Sequence, residues 1–145
     1  MATVELRFSP LPEHVRTARL VAAAVARRAG VDEAVLDEVR LAVGEACSRA
    51  VGLHRSGGLT APVRVALIEE EKQFSIEVGD EAPRAAAVAV ASAGGGAGEP
   101  EDGEDDMGLA VISGLVDDVE VTADESGGLI RMSWPTAPDP EESPV

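Results

Sequence analysis

Leu41-Ala42-Val43-Gly44-Glu45-Ala46-Cys47-Ser48-Arg49-Ala50-Val51 is the stretch whose reading decides the fold. Its apolar positions recur three and four apart, which puts them on one face of an α-helix. The stripe begins upstream at Val35, Leu36 and Val39 and runs through Ala42, Val43, Ala46 and Ala50. Asp32 is suited to cap its start, and Glu33 falls where the helix dipole favours an anion. The stripe fades near His54, ahead of the stop signal Ser56-Gly57-Gly58. Glu45 and Arg49 are one turn apart and face the same way.

Outward from this helix, Thr3–Phe8 alternates Val4, Leu6 and Phe8 with Glu5 and Arg7, which predicts a half-buried strand. Ser9–Pro12 is a turn, and Ser9 or the Pro12–Glu13 step starts a helix over Glu13–Ala29. Val15, Ala18, Ala22, Val25, Ala26 and Ala29 form its apolar face, and Gly30 ends it. Downstream, Pro62–Ile68 and Phe74–Val78 are strands joined by the polar connection Glu69–Gln73. Ala85–Asp106 is Ala-rich, then Gly-rich at Gly94-Gly95-Gly96, then acidic, and no packed element is expected in its second half. Helical spacing returns over Met107–Val116, and a hairpin over Val119–Ala123 and Leu129–Trp134 turns around Ser126-Gly127-Gly128. Pro135–Val145 has the composition of a disordered tail.

The expected order is β-α-α-β-β-loop-α-β-β. It describes an α+β two-layer sandwich, a mostly antiparallel sheet with about three helices on one face. Residues 1–134 form one domain with a lid-like loop at 85–106, and 135–145 is the tail. A long loop without structure of its own is uncommon in a compact domain and is often a functional lid.

The chain has 12 Lys+Arg against 27 Asp+Glu, a net charge of −15. Phosphate backbones repel such a chain, so direct nucleic-acid binding is not expected. A basic protein surface is the better partner, although the charge also serves solubility. Aromatic residues are only 2% of the chain, so the core must be Val, Leu, Ile and Ala. The single Cys47 rules out an internal disulfide and fits a reducing cytoplasm. Met1–Phe8 lacks the basic start and apolar block of a signal peptide, and no apolar run is long enough to span a membrane.

Two further segments complete a pattern with the first. Ile76-Glu77-Val78-Gly79-Asp80 ends a strand, and Met107-Gly108-Leu109-Ala110-Val111-Ile112 opens the third helix after the Gly-rich loop. In order, spacing and placement the three resemble the three boxes of the Bergerat-fold (GHKL, histidine-kinase-like) ATPases, most closely the bacterial anti-sigma factor serine kinases. The resemblance spans roughly residues 3–134.

The resemblance implies ATP and Mg²⁺ as cofactors and assigns roles by position. Glu45 matches the catalytic carboxylate, a general base toward a hydroxyl nucleophile. Arg49 stands where the family has an Asn whose side-chain oxygen holds Mg²⁺. A guanidinium has only donors and a permanent positive charge, so it cannot ligate the ion. It can instead pair with Glu45 or touch a phosphate directly. Asp80 matches the carboxylate that reads the adenine amino group. The family's Asp-x-Gly-x-Gly is here Asp80-Glu81-Ala82-Pro83-Arg84, without either glycine and without their close backbone approach. Gly108, flanked by Met107 and Leu109, matches the glycine at the helix start that faces phosphate. Glu104, Asp105 and Asp106 precede it and repel a triphosphate.

Each residue also has a plainer reading. Glu45 and Arg49 can be a solvent-facing ion pair, Asp80 a strand-end turn residue, and Gly108 a loop-to-helix junction. Cys47 reads as a small buried apolar residue. His14 and His54 read as surface residues without metal-ligand spacing, so no metal site is assigned. With two boxes altered, the expected function is an anti-sigma-factor-like regulator that works by partner switching. It would hold a sigma factor and/or a STAS-domain anti-anti-sigma factor, with ATP binding weakened or lost. The alternative is an active ATP-dependent serine kinase acting on a STAS-domain antagonist. Family members often dimerise through the first strand and helix, where Val4, Leu6 and Phe8 serve equally as ordinary core.

Overall fold

Val4, Leu6 and Phe8 point inward from β1 (Ala2–Phe8) while Glu5 and Arg7 stay exposed, the alternation a half-buried strand requires. The computed structural model describes residues 2–82, 87–89, 112, 114, 116 and 118–136. β1 is an edge strand, antiparallel to β2 (Val63–Glu69) with Leu6 opposite Val65. β2 pairs with β3 (Gln73–Asp80), placing Leu67 opposite Ile76. Beyond β3 come β6 (Gly127–Pro135), β5 (Asp118–Asp124) and the short edge strand β4 (Ala87–Ala89), all antiparallel, in the order β1-β2-β3-β6-β5-β4.

One face of this sheet is apolar. Val63, Val65, Leu67, Phe74, Ile76, Val78, Ile130, Met132 and Trp134 are buried there under two helices. α1 (Glu13–Ala29) presents Val15, Ala18, Ala22 and Ala26, and α2 (Leu36–Ser56) presents Val39, Ala42, Val43, Ala46, Cys47 and Ala50. The small residues let helices and sheet approach closely with few aromatics to fill gaps. The opposite sheet face is polar. Arg131 reaches Glu77 at 2.9 Å and Glu70 at 3.5 Å, and the Ser75 and Ser133 hydroxyls meet at 2.9 Å.

The expected two-layer α+β sandwich is the observed architecture, and α1 has the bounds read from its periodicity. Gly30 ends α1 in the left-handed region at φ 104°, its N–H directed to the last carbonyls, as a glycine C-cap does. The Pro12–Glu13 step starts α1, one of the two starts read from the sequence, with Pro12 at the N-cap position and no side-chain cap bond. Three details differ from the reading. Asp32 does accept a bond from the Ala34 N–H (3.0 Å), but it caps a 3₁₀ turn, Glu33–Val35, that leads into α2. The hairpin turns at Glu125-Ser126, because the Asp124 carboxylate accepts both the Ser126 N–H (2.8 Å) and its hydroxyl (2.7 Å), and Gly127 already belongs to β6. Strand β4 lies inside the segment read as a loop; three small residues carry too little pattern to announce it.

Of the third helix, Ile112 and Gly114 are helical, and the Val116 N–H donates to the Ile112 carbonyl at 2.9 Å with both apolar side chains buried. Two helices are therefore described whole, against the three expected. Residues 137–145, most of 85–106, and Met107, Gly108 and Leu109 lie outside the described residues.

Candidate functional site

Helix α2 lies over β3, held by Val39, Val43, Ala46 and Cys47, all at 0% exposure. Glu45 and Arg49 flank that buried stripe and are half-buried. Among the described residues ion pairs join Arg7 to Glu5, Arg27 to Glu33, Arg40 to Asp37 and Arg131 to Glu70 and Glu77. Arg49 is itself engaged.

Asp80 is the last residue of β3 and only 4% exposed. One carboxylate oxygen accepts the Ala82 N–H at 3.0 Å, a local turn of the kind Asp favours at a strand end, and Asp80 has a further interaction besides. Gly127 makes this corner tight. It sits at φ 134°, and a Cβ on it would come within 2.0 Å of the Asp80 carbonyl oxygen. The fold thus brings the helix bearing Glu45 and Arg49 against the strand ending in Asp80. Met107, Gly108 and Leu109 fall outside the described residues.

His54 is not a surface residue, contrary to the sequence reading. It is 0% exposed and bonded at both ring nitrogens. Nδ1 lies 2.8 Å from the Ala61 carbonyl, and Nε2 lies 2.8 Å from the Glu81 N–H. A carbonyl only accepts and an amide N–H only donates, so the ring is neutral with its proton on Nδ1. The signal was available in the spacing, since Val43, Cys47, Ala50, Val51 and His54 continue one helical face. The residue type pointed the wrong way. His14 is half-buried, its ring centroid 6.1 Å from that of Phe8.

A second feature lies on the solvent side of the two helices. Arg16, Arg19 and Leu20 of α1 and Asp37, Arg40 and Leu41 of α2 line an open cleft of about 480 Å³. Leu20 is 60% and Leu41 53% exposed. Arg40 reaches Asp37 at 3.2 Å, and its Nε is buried with no hydrogen-bond partner among the described residues. The stem of Arg19 crosses Gly44, where a Cβ would meet its Cδ at 2.7 Å. Three guanidinium groups and one carboxylate give the cleft a positive character that the net charge conceals.

Burial pushes the Cys47 thiol up to about 12, which keeps it protonated and unreactive, as expected of a small apolar residue. Among the described residues no group of three or more His, Cys, Asp or Glu is placed to hold a metal ion. Among them, too, no helix is long and apolar enough to cross a membrane.

Comparison with known proteins agrees with this geometry. The anti-sigma F factor of Clostridium acetobutylicum is 26% identical over 127 residues, covering 86% of this chain and 87% of its own length. That of Bacillus thuringiensis is 26% identical over 125 residues, 86% of either chain. A family model described as the histidine kinase-like ATPase domain matches residues 8–134, the span from the end of β1 to the last residues of β6. The chain belongs to the histidine kinase-like ATPase domain family.

Proposed function

We propose that this chain is an anti-sigma-factor-like regulator that works by partner switching. It holds a sigma factor and/or a STAS-domain anti-anti-sigma factor, and its ATP binding is weakened or lost. The observation that carries the reading is Arg49, where the family resemblance calls for a metal-holding amide. The residues present do not fit Mg²⁺. A half-buried guanidinium offers no oxygen ligand and repels a dication, and Mg²⁺ tolerates poor octahedral sites badly. No phosphoryl-transfer step is therefore assigned to Glu45. The adenine side is better kept, since Asp80 is a buried carboxylate at a strand end, although one of its oxygens already serves Ala82.

Binding of a protein partner has independent support. The relatives are named anti-sigma F factors, and those names concern sigma-factor control. The cleft between α1 and α2 supplies two exposed leucines beside three arginines, which suits a partner segment carrying apolar anchors and carboxylates.

Calorimetric titration with Mg·ATP tests the reading. The expected result is no measurable binding to the natural chain and a gain of affinity in Arg49→Asn. Tight Mg·ATP binding by the natural chain, with phosphate transfer to a STAS-domain partner, would establish the kinase alternative instead.

A further inference from the structure

His54 belongs to neither the nucleotide boxes nor the helical cleft, yet it is a fully buried polar side chain. It stands in the last turn of α2 at 0% exposure. Its Nδ1–H donates to the Ala61 carbonyl ahead of β2, and its Nε2 accepts the Glu81 N–H just beyond β3, each at 2.8 Å. One side chain therefore joins the end of α2 to the entry of β2 and the exit of β3. The next amide, Ala82 N–H, is held by Asp80 Oδ1 at 3.0 Å. Two consecutive backbone N–H groups after β3 are thus held by side chains, the first by His54 and the second by Asp80 itself. From the other side Gly127 closes on the Asp80 carbonyl.

A buried histidine must pair both ring nitrogens, but partners close by in the chain would serve for that alone. This one uses both nitrogens, in one tautomer, on partners separated from it by 7 and 27 residues. We infer that His54 is a positioning residue. In its Nδ1–H form it fixes the Glu81–Ala82 backbone against α2, and through that backbone fixes where the Asp80 carboxylate points. The site's helix wall, with Glu45 and Arg49, and its strand wall, with Asp80, then move as one body. The functional value of fixing Asp80 rests on reading that carboxylate as the adenine-side group; the clamp itself does not.

Three substitutions separate the two bonds. His54→Gln keeps an acceptor three bonds from Cβ, where Nε2 lies, and loses the Nδ1 donor. His54→Asn keeps a donor two bonds from Cβ, where Nδ1 lies, and loses the acceptor. His54→Ala loses both. Residue-resolved amide hydrogen exchange by NMR on the full chain is the readout. In His54→Ala and His54→Asn, exchange at Glu81 and Ala82 should quicken by about tenfold or more, the loss expected for one hydrogen bond near a strand end. Amides of Ile76 and Met132 in the strand centres should not change, and His54→Gln should restore protection at Glu81. Unchanged exchange at Glu81, or an equal rise at Glu81, Ile76 and Met132, would overturn the clamp. Adding adenosine to the natural chain tests the other premise. A shift of the Asp80 and Ala82 resonances supports the adenine reading, and their silence sinks that reading while leaving the clamp in place.

Discussion

Replacing Gly127 with alanine tests the corner on which the strand side of the site depends. The added Cβ would stand 2.0 Å from the Asp80 carbonyl oxygen and 2.9 Å from its carbonyl carbon and from the Glu81 Cα, where real Cβ contacts essentially never fall below 3.0 Å. All three are backbone atoms, so no side chain can swing away. The strands must part by about 1 Å at this end, which breaks a ladder contact where Asp80 faces Gly128 and forfeits roughly 1 kcal/mol. The φ of 134° adds about 1–3 kcal/mol of backbone strain for a residue with a side chain. Together these destabilise the fold by about 2–4 kcal/mol, a fall in melting temperature of roughly 10 °C for a chain of this size. Thermal denaturation followed by far-ultraviolet circular dichroism measures it. A melting temperature within a degree of the natural chain would refute the contact between Gly127 and Asp80, and with it the account of how Asp80 is held.

Three other outcomes are expected. Gly52 lies in α2 with nothing among the described residues within 4 Å of a would-be Cβ, so Gly52→Ala should stabilise the chain by about 0.5–1 kcal/mol in urea unfolding; a loss of stability would mean that this face of α2 is covered. Cys47, with its thiol raised to about 12 by burial, should resist a thiol reagent at pH 8 in the folded chain and react fully in denaturant; reaction without denaturant would place Cys47 outside the core. Hydrogen bonds from the Ser126 hydroxyl and N–H lower the Asp124 pKa below its ordinary value. A carboxylate lowered in the folded state stabilises above its unfolded pKa and loses that contribution as pH falls through the folded one. Asp124→Asn should therefore flatten the acid side of the stability profile, below about pH 4, and leave its neutral side nearly parallel; an unchanged acid limb would mean the turn bonds do not persist in solution.

Most of the fold was legible because burial repeats. The stripe from Val35 to Ala50 and the alternations of β1, β2 and β3 are each longer than chance would give, and each was realised. What escaped was short or local. Ala87–Ala89 is too brief to show a period, and its pairing to β5 supplies the order that its own residues do not. The turn at Glu125-Ser126 was displaced by the Asp124 side chain, which no glycine count reveals. His54 was misread because a polar residue on an apolar face suggests the edge of the stripe. In the structure it meets an acceptor and a donor supplied by two segments that are distant in sequence, and so burial costs it nothing in hydrogen bonding.

The cleft makes the same point about charge. The net charge of −15 argues for a basic partner and says nothing about where the partner touches. Exposed charges are largely screened beyond a Debye length of about 8 Å at physiological salt, so a docking face responds to the groups lining it, not to the sum over the chain. Arg16 and Arg19 stand three apart on α1, Arg40 stands on α2, and only the packing of the two helices brings them together. The acidic balance bears on the chain's solubility, while the arginines set the local potential of the cleft. An acidic chain can in this way present a surface that selects carboxylates. The local charge between α1 and α2 becomes readable only once both helices have been placed on the sheet.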